Sequence, residues 1–242
     1  MIGSTMPGAI DTAILLAAGE GSRLRSHQIS KPLCPVGGTS LLAHAIHRLH
    51  RAGLSRVLVV TGYRGDLVER HVASASWPIE IRIVANTDWH LPNGISALAA
   101  AEALAGAPAL LAMGDHLVEP EIYRRLRDAG AGPGLRLGTD RRLDSDLVDP
   151  LDVTRVLTEG NRIAALGKEM ERYDAYDVGI FAVGPAFFDA LSGLAAPSIT
   201  DGVRALIPGD KAEIVDCTGL RWIDVDDPPA LAKAEAIDAA SW

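Results

Sequence analysis

The sequence has few aromatic residues, only two cysteines and no long apolar segment. Phe, Trp and Tyr make up 5% of its 242 residues, so its core must be built from Ala, Val, Leu and Ile. Cys34 and Cys217 cannot form a disulfide framework, which favours reduced thiols and a cytoplasmic location. No apolar run approaches the roughly 20 residues that span a bilayer. These absences exclude a disulfide-stapled miniprotein and an inserted membrane protein.

The sequence also lacks a basic segment. The formal net charge is −8, and no run of Lys or Arg provides a face for nucleic acid or for anionic lipid. We therefore expect small-molecule partners, with neither nucleic acid nor membrane insertion. An anionic ligand would have to be met by a few local cations, by backbone N–H groups and by a metal. Whether the chain forms a homodimer is left open by the sequence.

Buried apolar runs alternate with helical patterns in the first half of the chain. The runs Ala13–Ala17, Arg56–Thr61 and Ala109–Met113 suit central parallel strands that are covered on both faces. Helical spacing lies between them, for example over Thr39–Ala52. This alternation predicts an α/β fold with a doubly wound, mostly parallel, Rossmann-like sheet. The second half is expected to be mixed α+β, with a hairpin turn at 159–161.

We expect one domain behind a short lead-in. Residues 1–11 contain no Lys or Arg and no long apolar core, which is typical of a disordered lead-in and not of a signal peptide. Residues 12–242 are expected to form a single domain that ends in a helix over Pro229–Ala239. Its halves, 12–130 and 131–242, should share one sheet and have a site in the cleft between them.

A glycine-rich loop directly follows the first strand. Its small residues would let backbone N–H groups approach phosphate oxygens closely. Arg23 and Lys31 add cations at the two ends of the loop. The candidate contacts of a bound nucleotide in this loop are Leu16, Ala17, Ala18, Gly19, Glu20, Gly21 and Ser22.

Two known phosphate loops and a plain turn are the alternatives for this segment. A dinucleotide-binding loop needs G-x-G-x-x-G/A leading into a helix, whereas Leu24 takes the third position here and Pro32 follows. A kinase-type P-loop needs G-x-x-x-x-G-K-[ST], and that spacing is absent. A plain glycine turn explains Gly19 and Gly21 but leaves the two cations unexplained.

The loop and several later segments resemble the signature of the sugar-phosphate nucleotidyltransferases, the superfamily of the MobA-like NTP transferases. The similar segments are Leu16–Leu24, Lys31–Leu33, Gly37-Gly38, Gly114–His116, Gly167-Lys168 and Trp222–Asp226. Within that superfamily the chain is most similar to the CTP:inositol-1-phosphate cytidylyltransferases, while Thr61–Tyr63 also resembles bacterial phosphocholine cytidylyltransferases. The resemblance implies a nucleotide-diphospho-sugar transferase fold, with nucleotide bound by the half 12–130 and acceptor and metal by the half 131–242.

Acidic residues at two strand ends are the candidate metal ligands. Asp115 follows a buried strand, at the edge where open α/β sheets bind ligands, although a helix cap is the alternative role. Asp224 and Asp226 lie on or just beyond a late strand, whose alternation points both to one face. Mg²⁺ prefers carboxylates, phosphate oxygens and waters, so Asp115 with Asp224 or Asp226 predicts a Mg²⁺ site. Asp227, which precedes two prolines, is expected to cap the last helix.

The expected reaction is attack by a phosphate monoester on the α-phosphorus of a nucleoside triphosphate. A monoester has a second pKa of about 6, so it is already a dianionic nucleophile at neutral pH and needs no general base. Arg23 and Lys31, with the metal, would position the nucleotide and stabilise developing charge. The resemblance implies that Lys168 binds the acceptor phosphate, with a solvated lysine at a strand end as the alternative. We expect Asp177 to accept hydrogen bonds from the hydroxyls of a polyol. The candidate contacts of the base are Thr61, Asn93, Gly94 and Ser96.

We therefore expect transfer of CMP from CTP to a small phosphorylated alcohol such as inositol 1-phosphate, with release of pyrophosphate. The alternatives keep the chemistry but use phosphocholine as acceptor, or UTP or GTP with a sugar 1-phosphate. A non-catalytic nucleotide-binding domain is a further alternative, and it predicts loss of Lys31, Asp115 or the late acids, all of which are present.

The three histidines of the predicted helix Thr39–Ala52 and Cys34 are expected to have no role in the chemistry, whereas His116, which follows Asp115, is expected to contact the ligand or to orient Asp115 without acting as a base. His44, His47 and His50 recur on one predicted helix, mostly on the face opposite its apolar stripe, so we expect them at the surface. Cys34 has no neighbouring base in the sequence, which disfavours a catalytic thiol.

Overall fold

The structure is a computed structural model that describes residues 10–25 and 27–237. Residues 1–9 of the expected lead-in, and 238–239 at the end of the predicted closing helix, lie outside the described residues. Packing begins before residue 12, because Ile10 is buried and the carbonyl of Asp11 accepts a hydrogen bond from Ser55 N at 2.9 Å.

Strands and helices alternate along the first half of the chain and mix along the second. The strands are β1 (Thr12–Ala17), β2 (Pro35–Val36), β3 (Thr39–Ser40), β4 (Arg56–Thr61), β5 (Glu80–Ala85), β6 (Ala109–Met113), β7 (His116–Val118), β8 (Leu135–Asp140), β9 (Arg155–Glu159), β10 (Arg162–Gly167), β11 (Ala175–Val183), β12 (Ala212–Asp216) and β13 (Trp222–Asp224). The α-helices are α1 (Leu41–Arg51), α2 (Gly65–Ala73), α3 (Gly94–Ala99), α4 (Ala101–Leu104), α5 (Pro120–Ala129), α6 (Pro185–Ser192), α7 (Ile199–Leu206) and α8 (Pro228–Ala236).

One nine-stranded sheet joins the two halves of the chain. Its order is β5-β4-β1-β6-β11-β8-β12-β10-β9. The first four strands are parallel, as the sequence predicts, and β11 then lies antiparallel beside β6. The apolar runs of β1, β4 and β6 are buried between helices on both faces. The carboxyl ends of these strands therefore share one edge, and the second half of the chain closes a cleft along it.

Local capping sets the start of several helices. Ser40 accepts a hydrogen bond from Ala43 N at 3.2 Å, so α1 begins at Leu41 and not at the predicted Thr39. Asp227 caps α8 by accepting from Ala230 N at 2.8 Å, which confirms its predicted structural role.

Several parts of the predicted secondary structure were wrong or missing, among them the two-residue strands β2 and β3. The Ala-rich stretch 95–105 is two short helices with a break at Ala100, which helix propensity alone does not mark. The strand β8 was missed, because Arg136 and Gly138 interrupt its apolar pattern. The strand β7 was missed because it is only three residues long.

A small two-stranded sheet lies outside the large one and brings the late acids to its edge. β7 pairs antiparallel with β13, which places Asp224 opposite His116. Val225 N donates to the carbonyl of Asp115 at 3.0 Å and extends this pairing. Beneath it lies a separate apolar cluster that includes the buried Cys34 and Ile223. This packing holds two sequence-distant acidic segments in register.

The described helices are all short, and none of them has the length and apolar character needed to cross a bilayer.

Candidate active site

The cleft at the carboxyl edge of the sheet contains a cavity of about 370 Å³. Both halves of the chain line it, and its polar wall includes Arg23, His116, Asp152, Lys168, Asp177 and Asp224. A cavity of this size suits a small ligand, with a few polar groups to orient it.

Lys31 is held in the cleft by the glycine loop. Gly21 has φ +57°, in the left-handed region that favours glycine, and a Cβ there would collide with the Lys31 side chain. The loop thus folds tightly over Lys31, which is only 6% exposed. This contact explains physically why a glycine precedes Arg23 in the loop.

Acids from two distant segments converge on the Lys31 ammonium group. Lys31 Nζ lies 2.6 Å from Asp115 Oδ2 and 3.8 Å from Asp224 Oδ1, and it also pairs with Asp226. Arg23 contacts Asp226 from the other side. The structure therefore brings together the predicted cations of the loop and the predicted acids of both strand ends.

His116 orients the carboxylate of Asp115. Its Nδ1 lies 2.8 Å from Asp115 Oδ1, and its ring stacks on Trp222 with an interplanar angle of 10°. Burial would lower the pKa of His116, but the Asp224 and Asp115 carboxylates outweigh it and raise the pKa to about 8. Burial likewise opposes ionisation of Asp115, yet Lys31 and His116 hold the pKa of that carboxyl well below its usual range. Asp115 is thus a fixed, ionised carboxylate and caps no helix, since Glu119 takes that position at α5.

Asp115, His116 and Asp224 form an acidic group that can hold a divalent metal. One ligand atom from each lies within 4.8 Å of the others. Asp224 Oδ1 is buried without a hydrogen-bond partner, and burial raises the pKa of this carboxyl. A cation would satisfy that oxygen, so the donor set fits a hard metal ion. Asp226 is engaged by Lys31 and Arg23, and the geometry therefore favours Asp224 as the ligand and Asp226 as the ion-pair partner.

Lys168 faces the cleft from the end of β10 and pairs with Asp152. Asp152 also lies 2.8 Å from Arg23, so one carboxylate bridges cations from the two halves of the chain. The Lys168 hydrogen bond is the main cause that lowers the pKa of Asp152, and Arg23 adds to it. Sequence reasoning missed Asp152, since it lies in a turn-rich segment with several other acids and no motif.

The residues proposed to contact the base lie in different surroundings. Asn93 lines the cavity, and its Oδ1 accepts a hydrogen bond from Ile199 N at 2.9 Å, which ties the loop to the start of α7. Ser96 is buried and its hydroxyl accepts from Asn86 at 2.9 Å. Thr61 is buried and donates to Glu69 at 3.4 Å. The side chains of Ser96 and Thr61 thus support the loops, and their contact with a base stays a prediction.

The phosphate-loop residues divide between the sheet and the open cleft. Leu16, Ala17 and Ala18 are buried at the end of β1. Gly19 has open space where a Cβ would lie, and Glu20 and Ser22 are exposed. An exposed backbone after a buried strand is the arrangement that phosphate binding by N–H groups requires.

Asp177 lines the same cavity as His116 and Asp224. Its Oδ1 accepts from Gly179 N at 2.7 Å. Burial raises the pKa of Asp177 to about 6, while Gly179 and His116 act in the opposite direction. The carboxylate is therefore available to accept hydrogen bonds from ligand hydroxyls above that pH.

The expected surface position of the three α1 histidines was wrong for His44. His44 is buried, and its Nε2 contacts the carbonyl of Val36 at 2.8 Å. His47 and His50 are exposed as expected. Cys34 and Cys217 are buried free thiols, and burial raises the pKa of both, that of Cys217 to about 12, which leaves neither one reactive.

Comparison with known proteins shows the family to which the chain belongs. A family model for the MobA-like NTP transferase domain matches residues 13–142. The chain is 37% identical over 92% of its length to the bifunctional IPC transferase and DIPP synthase of Rubrobacter xylanophilus, of which it covers 51%. It is 29% identical over 92% of its length to the CMP-5'-(3-aminopropyl)phosphonate synthase of Streptomyces rubellomurinus, of which it covers 38%.

A solved structure, the inositol-1-phosphate CTP transferase from T. maritima, superposes with a TM-score of 0.82 at 25% identity. The superposition covers 95% of this chain and 98% of that one. The chain spans about half the length of the curated bifunctional relatives that it matches. On the family model and the Rubrobacter relative together, the chain belongs to the MobA-like NTP transferase family.

Proposed function

We propose that the protein is a Mg²⁺-dependent nucleotidyltransferase that transfers CMP from CTP to inositol 1-phosphate and releases pyrophosphate. The observation that carries the proposal is the contact of Lys31 with Asp115 and Asp226, with Arg23 and Asp224 beside them. A buried lysine surrounded by acids at a glycine loop is suited to a ligand that carries both phosphate and metal.

The acceptor phosphate oxygen would attack the α-phosphorus of CTP. A new P–O bond forms, the bond from the α-phosphorus to the bridging oxygen breaks, and the electron pair leaves on pyrophosphate. No proton has to be removed from a dianionic monoester. Asp115 and Asp224 would hold Mg²⁺, which would supply neutralisation of phosphate charge.

The protein's own groups position the two anions. Lys31, which pairs with Asp115 and Asp226, would neutralise the triphosphate. Lys168 lines the cavity and would hold the acceptor phosphate. Because the two substrates repel each other, these cations account for much of the expected rate.

The choice of CTP and inositol 1-phosphate rests on similarity and on the shape of the cavity. The Rubrobacter relative is named for IPC transfer, the Streptomyces relative for synthesis of a CMP-phosphonate, and the T. maritima structure for inositol-1-phosphate CTP transfer. The Asp177 carboxylate, together with Thr154 and Thr200, gives the cavity the polar groups that a polyol needs. The proposed compartment is the cytoplasm, because both cysteines are free thiols.

A substrate panel tests the proposal. Purified protein would be incubated with Mg²⁺, each of the four NTPs, and inositol 1-phosphate, phosphocholine or a hexose 1-phosphate, and pyrophosphate release would be measured. We expect CTP with inositol 1-phosphate to give the fastest release. Faster release with another pair would reassign the substrates, and no release with any pair would contradict nucleotidyl transfer.

A further inference from the structure

Asp152 is the one acid in the described residues that contacts both Arg23 and Lys168. Arg23 Nη2 lies 2.8 Å from Asp152 Oδ2, while Lys168 Nζ pairs with Oδ1. Each oxygen of this single carboxylate thus contacts a cation from a different half of the chain. Neither cation is packed in place, since the side chains of Arg23 and Lys168 are 52% and 58% exposed.

Two cations that hold one carboxylate in this way are also suited to the oxygens of a phosphate monoester. Terminal phosphate oxygens, like those of a carboxylate, can accept hydrogen bonds from two cations at once, and arginine suits such paired contacts. A dianionic phosphate offers more charge than Asp152, so it can replace the carboxylate. Arg23 would stay anchored during this exchange, because it also pairs with Asp226.

We propose that the acceptor phosphate binds between Arg23 and Lys168, and that Asp152 is an internal stand-in for it in the ligand-free protein. The proposal rests on the proposed function for the identity of the acceptor. It assigns Arg23 to the acceptor phosphate, at the junction with the nucleotide loop, and gives Asp152 a defined role.

An internal stand-in lowers affinity without taking part in the chemistry. Asp152 competes only before the phosphate has bound, and it no longer holds the cations afterwards. Its removal should therefore lower KM for the acceptor and leave kcat near the wild-type value. A residue that orients the cations for the reaction would show the opposite pattern, with a fall in kcat.

Competition between the Asp152 carboxylate and phosphate can be tested by measuring phosphate binding in the absence of turnover. Inorganic phosphate would be titrated calorimetrically into the full chain and into Asp152→Asn. Exposed ion pairs are individually weak, so we expect Asp152→Asn to bind phosphate about fivefold more tightly. Asp152→Glu keeps the charge and should stay close to the wild type. Adding Lys168→Gln to Asp152→Asn should abolish the gain if the binding is at this pair.

A second acid that lines the cavity, Asp149, distinguishes the specific contact of Asp152 with the two cations from a general effect of negative charge on phosphate binding. Asp149 lines the cavity and accepts a hydrogen bond from Leu151 N at 2.9 Å, but no ion pair joins it to the described cations. Asp149→Asn should change phosphate affinity by less than about twofold, since its charge is screened by solvent.

Equal or weaker phosphate binding in Asp152→Asn would overturn the proposal, and so would an equal gain in Asp149→Asn. Steady-state kinetics with inositol 1-phosphate then provide the KM and kcat values. A wild type that binds phosphate but releases no pyrophosphate would contradict the proposed function alone, because the titration reports on Asp152 independently of catalysis.

Discussion

At the scale of single residues, Lys31 has the most constrained position in the site. It is nearly fully buried, lies against Gly21, and contacts acids of two distant segments. Its pairing keeps Asp115 and Asp226 close together without a metal, although like charges at such separations repel. Lys31 therefore has a structural role in the ligand-free state as well as the expected role toward phosphate.

Substitution Lys31→Gln should reduce pyrophosphate release by about 10²–10³-fold, because a preorganised charge in the transition state is lost. Lower thermal stability is also expected without Mg²⁺, with partial recovery when Mg²⁺ neutralises the freed acids. Lys211→Gln is the matched control, since Lys211 is exposed and precedes β12 at the other end of the sheet. A wild-type rate in Lys31→Gln would contradict the assigned role.

Asp177 provides a prediction about pH. Its folded-state pKa is raised to about 6, so the native protein binds more protons than the unfolded chain between pH about 4 and 6. The stability it contributes is complete below its unfolded pKa and is lost as the pH rises through about 6. Asp177→Asn should then raise stability at pH 8 by on the order of 1 kcal/mol, or roughly 2–4 °C in Tm, and change it little at pH 4.

Urea unfolding of both proteins at pH 4 and pH 8 measures this difference. Asn keeps an oxygen that can accept from Gly179 N, so the backbone contact is preserved. Equal stability changes at the two pH values would show that ionisation of Asp177 is not the cause.

At the scale of secondary-structure elements, the bulge in β11 makes room for His116. The pairing of β11 with β8 shifts register between Asp177 and Phe181, and Gly179 there has φ +76°. A Cβ at Gly179 would lie 2.6 Å from the His116 ring. The strand irregularity thus lets the imidazole reach Asp115 while it stacks on Trp222.

Gly179→Ala is expected to destabilise the fold and to reduce activity, because it adds a collision with His116 to the strain of a left-handed alanine. Gly160→Ala is the matched control. Gly160 has φ +63° in the turn between β9 and β10, but no atom lies within 4 Å of its added Cβ. In Gly160→Ala we expect strain alone to lower the free energy of unfolding by about 1 kcal/mol, and we expect activity to be retained.

The two variants would be compared by urea unfolding and by pyrophosphate release. If Gly179→Ala behaved like Gly160→Ala in both measurements, then the close approach of His116 would be unimportant for the site.

At the scale of the whole molecule, ligands should couple the two halves of the chain. The cleft is lined from both halves, and ion pairs such as Arg23 with Asp152 cross it. A ligand that binds only the folded state stabilises it by about 2.7 kcal/mol at a concentration 100 times its Kd. For a chain of this size that corresponds to about 5–10 °C in Tm.

Thermal unfolding with CTP, with and without Mg²⁺, tests this coupling. We expect a clear rise in Tm with CTP and Mg²⁺ together, a smaller rise with CTP and EDTA, and loss of turnover in EDTA. Full activity in EDTA would contradict the metal site at Asp115 and Asp224.

Much of the fold and of the candidate site could be predicted from local pattern. Buried runs such as Ala109–Met113 and the hairpin at 159–161 depend on neighbouring residues, and the structure confirms both. The loop cations and the acids at 115 and 224–226 were also predicted, since their residue types and positions after strands carry the signal. The strand β7 and the breaks around Ala100 have no comparable local signature.

The parallel first half, the glycine loop and the set of charged residues were readable in the chain itself, because periodicity and turn chemistry act over a few residues. Three features could not be predicted from the sequence. They are the contact between the segments of Asp115 and Asp224, the bridging position of Asp152 and the burial of His44. Each of these depends on which distant segments pair or pack, and a register shift of one residue in β13 would turn Asp224 to the other face. Long-range packing therefore chose, among many acids, those that face the cleft.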